Sequence, residues 1–156
     1  MLLGKHNKTP NPARLNGYRT FLAQMGLPLE ENLVVAVPFE HRGGFEGMQR
    51  LLSLELPPTA VLAANDIIAI GALHAVTSAG KRVPQDVSIM GMDDIYAAAT
   101  IIPPLTTMAK QKYEIGCRAA TFLLERIRDQ YTGEARHLAV PCQLVVRNST
   151  AELLNR

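Results

Sequence analysis

Short apolar runs alternate with helical segments along most of this chain, and this alternation restricts its fold more than any other feature. The apolar runs predict strands at residues 33–37, 60–64 and 87–91. Apolar residues with a helical period predict helices at residues 13–25, 45–54 and 66–79. Continuously apolar strands are typical of a sheet that is covered on both faces. Strands and helices that alternate in this way predict βαβ units and a parallel sheet flanked by helices.

The pattern changes after Pro103-Pro104. Residues 114–129 carry a strong helical period. Two short β runs at 137–140 and 143–146 follow, and the Pro141 between them suits an edge strand or a bulge. We expect residues 149–156 to form a loose tail or a short helical end.

Length and composition exclude several classes of protein. A chain of 156 residues is about one domain, long enough to bury a core. Apolar residues make up 47% of it, which fits a globular domain and not a disordered one. Sixteen basic residues against 14 acidic ones are too balanced to indicate a nucleic-acid or membrane surface. No secretory signal or membrane span is recognisable, so we expect a cytoplasmic protein.

The two cysteines do not indicate a metal site. Cys117 falls in a predicted helix and Cys142 beside a predicted strand, with no CxxC spacing or histidine pair near them. We expect two buried free thiols in a reducing compartment. A zinc site needs about four ligands at recognisable spacing, so we expect no metal and no cofactor.

Polar side chains follow two predicted strands. Asn65 and Asp66 come directly after the strand at 60–64, and Asp93 and Asp94 come after the strand at 87–91. Ligands of open α/β sheets bind at the carboxyl ends of the strands, so this position suits a small ligand. We expect Asp66 to cap the next helix and Asn65 to offer a donor and an acceptor at the rim of the sheet.

The same residues have an ordinary structural interpretation. Asp and Asn after a strand are common helix caps and turn formers. Adjacent carboxylates such as Asp93 and Asp94 diverge in a loop and do not form an acid/base pair. No nucleophile accompanies them, so enzymatic activity is the weaker hypothesis.

An ordered series of motifs resembles the lactose/galactose repressor (LacI/GalR) family. PTAVLAANDIIAIGAL is similar to that family's strand-to-helix signature, and AGKRVPQDVSIMGMDD is similar to the segment that follows it. PPLTTM resembles the motif that leads back to the other lobe. NPARLNGYRTFL and QLVVRNST are similar to an early helix and to the C-terminal strand and tail. The resemblance extends from residue 1 to about residue 150.

The resemblance implies a periplasmic-binding-protein-like core of two lobes, with an effector held between them. The effector-contacting positions that it implies are Arg14, Phe39, Asn65 and Asp93. Asn65 and Asp93 would bind hydroxyls or ring nitrogens, Arg14 would add a forked donor, and Phe39 would stack on the flat face of the ligand. Two residues depart from the family pattern: Met92 replaces a frequent aromatic residue, and Lys110 replaces a frequent glutamine.

Each of these positions also has a simpler interpretation. Arg14 could be a solvated helix residue, and Phe39 could belong to the core. His41 and His74 are interpreted as surface or internally satisfied residues, and not as ligands.

The resemblance also divides the chain. Residues 1–107 would form most of the C-terminal lobe, whose first strand reads as truncated. Residues 108–156 would return to complete the N-terminal lobe, through a helix and short strands, and end in a tail. We expect the helix-turn-helix DNA-binding domain of the family to be absent from this chain. We therefore expect a fragment that binds its effector weakly or not at all, and that does not bind operator DNA alone.

The function that follows is the effector-binding and dimerisation part of a bacterial transcriptional repressor. The effector would be a small molecule of the sugar or nucleoside/purine class. Operator DNA would be bound only through the missing N-terminal domain, no membrane is involved, and we expect a homodimer with candidate faces at 45–54 and 68–79. The alternative is a fragment of a periplasmic-type sugar-binding protein from a transport system.

Overall fold

The computed structural model describes residues 1–6, 9–10 and 12–152. Its strands are β1 (Leu2–His6), β2 (Thr9–Pro10), β3 (Val35–Pro38), β4 (Ala60–Leu62), β5 (Ser88–Asp93), β6 (Thr106–Ala109) and β7 (Gln143–Val145). Its α-helices are α1 (Pro12–Gln24), α2 (His41–Leu52), α3 (Asp66–Ser78), α4 (Tyr96–Thr100) and α5 (Lys112–Ile127), and a 3₁₀ turn covers Glu31–Leu33.

Five parallel strands lie side by side in the order β3-β1-β4-β5-β6. β1 pairs with β3, and β5 pairs with both β4 and β6, all in parallel. A parallel bridge between Leu2 and Ala63 joins the two groups, and the Ala64 amide donates to the Leu2 carbonyl at 2.8 Å. This order confirms the predicted parallel sheet. β7 adds an antiparallel edge beside β6, and β2 returns antiparallel to the end of β1.

Helices α2 and α3 pack against each other at backbone distance. A side chain at Gly44 would collide with the Ile68 carbonyl, and one at Gly71 would collide with the His41 carbonyl. On its other side α2 meets the sheet, where Gly47 lies against the side chains of Val37 and Leu2. The fully buried core includes Leu2, Met48, Leu51, Ile68, Leu73, Val76, Ile89 and Leu105.

The end of the described chain is bound to the sheet. Ser149 is completely buried between β5 and β6. Its hydroxyl accepts from the Thr106 amide at 2.8 Å and donates to the Ile89 carbonyl at 2.6 Å. β7 and Ser149 therefore contact the lobe that holds β6, and the expected loose tail is wrong for this part. Residues 153–156 lie outside the described residues.

Other local predictions differ from the structure. The helix predicted to begin at Phe45 begins at His41, because Gly43 and Gly44 are helical residues that bring α2 close to its neighbours. Residues 137–140 form no strand. Among the described residues no helix combines the length and apolar character that a membrane crossing requires.

Helices α1 and α5 contain no buried residue in the described structure. Apolar side chains remain exposed on both, including Phe21 on α1 and Leu123 and Ile127 on α5. The prediction of buried thiols is wrong. Cys117 is exposed because it lies on α5, which no other element of the described structure covers. Cys142 is exposed as well, beside the edge strand β7.

Candidate functional site

The carboxyl ends of the parallel strands form one edge of the sheet, and the predicted site residues lie along it. Phe39 follows β3, Asn65 follows β4, Asp93 ends β5 and Lys110 follows β6. Neighbouring strands are about 4.8 Å apart, so three strand spacings place Phe39 roughly 14 Å from Asp93. We call this row of strand ends, together with Arg14, the cleft edge.

Asn65, and not Asp66, caps helix α3. The Asn65 side-chain oxygen accepts from the Ile68 amide at 2.9 Å, and the Asn65 backbone is extended, as a cap requires. The prediction that Asp66 is the cap is wrong, because the chain enters the helix one residue earlier in the capping geometry. Asn65 is half-buried at the rim, and its amide N–H groups remain to donate.

Asp66 is instead a buried connector between three elements. It is fully buried, and its two carboxyl oxygens accept from the Thr107 hydroxyl at 2.6 Å and from the Ile95 amide at 2.9 Å. Gly91 makes room for it, because a side chain there would collide with Asp66 Oδ1. Asp66 therefore fixes the positions of α3, β6 and the loop after β5 relative to one another.

The two aspartates after β5 diverge, as expected for neighbours in a loop. Both have positive φ angles, 119° at Asp93 and 50° at Asp94. Positive φ is unfavourable for residues with a Cβ, and such strain is concentrated at functional sites. Asp93 Oδ1 lies 2.5 Å from Lys110 Nζ. That oxygen is buried and has no aligned hydrogen bond among the described residues, so its contact with Lys110 is an ion pair of two charges.

Asp94 is bound on the other side. Its carboxylate accepts from Arg147 Nη2 at 2.8 Å, and its carbonyl oxygen accepts from Lys112 Nζ at 2.8 Å. Arg147 also donates to the Leu105 carbonyl at 2.9 Å. These contacts hold the strained loop in place, and sequence reasoning missed the role of Arg147. Its only signal was membership of the VVRNST motif.

Arg14 reaches the cleft edge from helix α1. It is half-buried, and its Nε donates to the sulfur of Met92 at 3.3 Å. Arg14 is therefore not an ordinary solvated helix residue. The contact also gives Met92, a departure from the family pattern, a structural partner next to Asp93.

Phe39 is half-buried and lies across β1. A Cβ at Gly4 would collide with the Phe39 ring, so the ring covers the backbone of β1 at Gly4. Phe39 also contacts the hydrophobic core. Both of its predicted roles are compatible with its partial burial.

Two depressions of the described chain lie away from the cleft edge. One, of about 320 Å³, is between α2 and α3, and the other, of about 420 Å³, is between α5 and residues 136–140. Within the same residues no group of three or more His, Cys, Asp or Glu side chains could hold a metal ion. What the edge offers is an amide, a carboxylate with a lysine, a guanidinium and an aromatic ring. Groups of these kinds are able to hydrogen-bond hydroxyl groups and ring nitrogens.

Comparison with known proteins identifies the family. The profile of the periplasmic binding protein-like domain matches residues 1–150. The chain belongs to this family. It is 36% identical over 156 residues to the HTH-type transcriptional repressor PurR of Haemophilus influenzae, a match that covers 99% of this chain and 46% of the relative. It is 39% identical over 140 residues to the HTH-type transcriptional repressor CytR of Escherichia coli, covering 90% and 41%.

Solved structures give the same result. The transcriptional regulator CelR in complex with cellobiose superposes with a TM-score of 0.85 at 31% identity, over 95% of this chain and 46% of that one. A LacI family regulator from Enterococcus faecium with bound ribose superposes with a TM-score of 0.84 at 32% identity, over 96% and 56%. The chain spans about half the length of these proteins.

These comparisons confirm the LacI/GalR resemblance and the periplasmic-binding-protein-like fold. The named relatives are transcriptional repressors and not enzymes, which confirms the expectation of a non-enzymatic protein. They also favour the effector-binding part of a regulator over the alternative of a transport protein.

Proposed function

We propose that the cleft edge is one wall of an effector site, and that the chain is the ligand-sensing part of a repressor that responds to a sugar or a nucleoside. The observation that carries this proposal is the strained, lysine-paired Asp93 beside the rim residue Asn65. A residue at φ 119° costs free energy, and the surrounding contacts of Arg147 and Lys112 with Asp94 maintain that conformation.

The chemistry of the edge favours a neutral ligand rich in hydroxyls. The Asp93 carboxylate accepts hydrogen bonds, while Lys110 and the Asn65 amide donate them. A ligand hydroxyl does both, so it could donate to the second carboxyl oxygen of Asp93 and accept from Lys110 while the ion pair between these two residues stays intact. The ring of Phe39, roughly 14 Å along the edge, would cover the far end of a disaccharide or nucleoside.

The remaining parts of the proposal rest on the relatives. As parts of HTH-type repressors, the matched regions belong to proteins that act on DNA, and we extend operator binding and a cytoplasmic location to the complete protein. We also propose a homodimer, with the surfaces of α2 and α3 as candidate faces.

Ligand titration followed by NMR tests the effector site. We expect the amide signals of Asn65, Asp93 and Lys110 to shift with at least one member of a panel of ribose, cellobiose, lactose and nucleosides. Binding should be weak, since the cleft edge is only one wall of the site. Asp93→Asn should lower the affinity about 10- to 100-fold, because a hydrogen bond to a charged group is lost while Asn still tolerates positive φ.

The matched control is Glu55→Gln, which makes the same chemical change at an exposed position away from the edge. It should leave the affinity unchanged. If no ligand moves the signals of the cleft edge, or if Asp93→Asn binds as tightly as the unaltered chain, the proposal is wrong.

A further inference from the structure

Lys110 and Asp93 form an ion pair between neighbouring strands of the cleft edge. In the register of β5 and β6, Asp93 pairs with Ala109, so Lys110 is one residue beyond the ladder. Lys110 Nζ lies 2.5 Å from Asp93 Oδ1, and the two side chains are 38% and 27% exposed. Asp93 Oδ1 itself is buried. Lys110 therefore occupies one carboxyl oxygen of Asp93, and the second oxygen remains for a ligand.

The surrounding contacts hold this ion pair in position. β6 is anchored by the buried Thr107, whose hydroxyl donates at 2.6 Å to the first residue of helix α3. The loop after β5 is anchored by Asp94, which accepts from Arg147 at 2.8 Å. Each of the two carboxylates in this loop is therefore balanced by a basic side chain. A ligand group that approaches Asp93 meets a fixed pair of opposite charges, and not a single charge.

We propose that Lys110 is a specificity-determining residue, which with Asp93 selects a ligand hydroxyl and rejects an ammonium or a carboxylate in the same place. This inference rests on the proposed effector site. A hydroxyl donates to the second oxygen of Asp93 and accepts from Lys110, so both contacts form at once. An ammonium group has no lone pair for Lys110 and is repelled by it. A carboxylate has no proton for Asp93 and is repelled by that charge.

The effector class that follows is an uncharged polyhydroxyl compound, such as a neutral sugar or a nucleoside. Analogues with a charged group in place of the selected hydroxyl are excluded, although their size is similar. The exclusion depends on both residues. Without the lysine, Asp93 is an uncompensated anion that attracts an ammonium group. Without the aspartate, Lys110 is an uncompensated cation that attracts a carboxylate, so each single substitution admits a different class of charged ligand.

A purely structural role of the ion pair makes a different prediction. Partly exposed ion pairs contribute little to stability, so Lys110→Gln should change the melting temperature by less than about 3 °C. The same substitution should change the selectivity for charged ligands strongly. Lys110→Arg keeps the positive charge and its donors, and should therefore keep the selectivity of the unaltered chain. Measuring both quantities on the same variants separates ligand selection from stabilisation of the fold.

Ligand titration of the full chain, followed by NMR at about pH 6, tests the proposal. Three series of probes are compared: glucose with glucosamine and glucuronate, galactose with galactosamine and galacturonate, and adenosine with its 5′-amino and 5′-carboxylate analogues. At this pH the amines are ammonium ions and the acids are carboxylates. In at least one series, the neutral member should bind the unaltered chain about tenfold more tightly than its two charged analogues.

Two substitutions should change the selectivity in opposite directions. Lys110→Gln should strengthen the binding of the ammonium analogue about tenfold relative to the neutral ligand, while the carboxylate stays excluded. Asp93→Asn should strengthen the relative binding of the carboxylate analogue by a similar factor, while the ammonium stays excluded. The matched control is Lys81→Gln, which removes the same charge at an exposed position outside the cleft edge and should change neither ratio.

The results distinguish this inference from the proposed function. If no probe shifts the signals of Asn65, Asp93 and Lys110, the proposed effector site is wrong and the selectivity of Lys110 is wrong with it. If neutral probes bind but Lys110→Gln still excludes the ammonium analogues, only the role of Lys110 is wrong. Charged analogues that bind the unaltered chain as tightly as the neutral member of every series would also overturn the inference and leave the effector site in place.

Discussion

Adjacent polar residues at the strand ends have opposite roles, and burial separates them. Asn65 and Asp66 differ by one position, yet Asn65 is half-buried at the rim and Asp66 is completely enclosed. Asp93 pairs with Lys110 at the cleft edge, while Asp94 pairs with Arg147 behind it. Among these sequence neighbours, Asn65 and Asp93 lie at the cleft edge, while Asp66 and Asp94 hold them in place.

The buried connector gives a prediction at the scale of the residue. Asp66→Ala removes the acceptor for the Thr107 hydroxyl and the Ile95 amide, so one buried and one partly buried donor lose their partner. We expect the free energy of unfolding to fall by about 2–5 kcal/mol in urea titrations. Asp66→Asn keeps one acceptor oxygen and should cost less.

The matched control is Glu55→Ala, which removes an exposed carboxylate and should change the free energy of unfolding by less than about 0.5 kcal/mol. Equal stability of Asp66→Ala and the unaltered chain would show that Asp66 does not connect the three elements.

At the scale of the element, glycines in helices have different meanings depending on what surrounds them. Gly71 in α3 faces the backbone of α2, whereas Gly116 in α5 has no neighbouring atom within 4 Å of the place where a Cβ would be. Both are unfavourable in a helix by their intrinsic propensity. Only the first is required by packing.

This difference predicts opposite effects of the same substitution. Gly71→Ala should lower the free energy of unfolding by about 1–3 kcal/mol, because the clash with the backbone of α2 exceeds the gain in helix propensity. Gly116→Ala should raise it by up to about 1 kcal/mol. Circular dichroism during denaturation measures both. Destabilisation by both substitutions, or by neither, would contradict the packing between α2 and α3.

At the scale of the whole molecule, a segment from the far end of the described chain adds a strand to the edge of the sheet. β7 pairs with the edge of β6, and Ser149 joins β5 to β6 through its hydroxyl. The segment between β6 and β7 contains α5. It carries exposed apolar residues, and no residue of α5 is buried. The chain thus leaves the sheet after β6 and comes back to it.

The return of the chain predicts a large effect of a small change. Ser149→Ala leaves the buried Thr106 amide and Ile89 carbonyl without their partner, and should cost about 2–4 kcal/mol of unfolding free energy. Ser78→Ala, at an exposed helix end, should cost less than about 0.5 kcal/mol. Similar urea midpoints for the two variants would mean that the terminal segment does not stabilise the sheet.

Hydrophobic periodicity was sufficient to predict most elements. The alternation of apolar runs and helical periods placed β3, β4 and β5 and the helices between them within a few residues, because burial on both faces imposes a local pattern. The start of α2 was missed because Gly43 and Gly44 read as helix breakers. Gly44 packs against the backbone of Ile68, which is distant in the sequence, so a local pattern does not reveal this contact.

The candidate site was predicted only in part. The ordered motifs located Arg14, Phe39, Asn65 and Asp93, and the parallel sheet places the last three at one edge, while their contact with a ligand stays a prediction. The pairing of Lys110 with Asp93, of Arg147 with Asp94 and of His41 with His74 joins residues between 17 and 53 positions apart. No local pattern encodes these contacts.

By itself the sequence determined that strands and helices alternate, that the sheet is parallel and that the polar residues follow the strand ends. These features follow from the spacing of apolar residues, which is local. The tertiary structure alone decided which polar residue is buried and which is exposed. That choice depends on neighbours such as Gly91 beside Asp66 and Lys110 beside Asp93, and only the packed sheet brings those neighbours together.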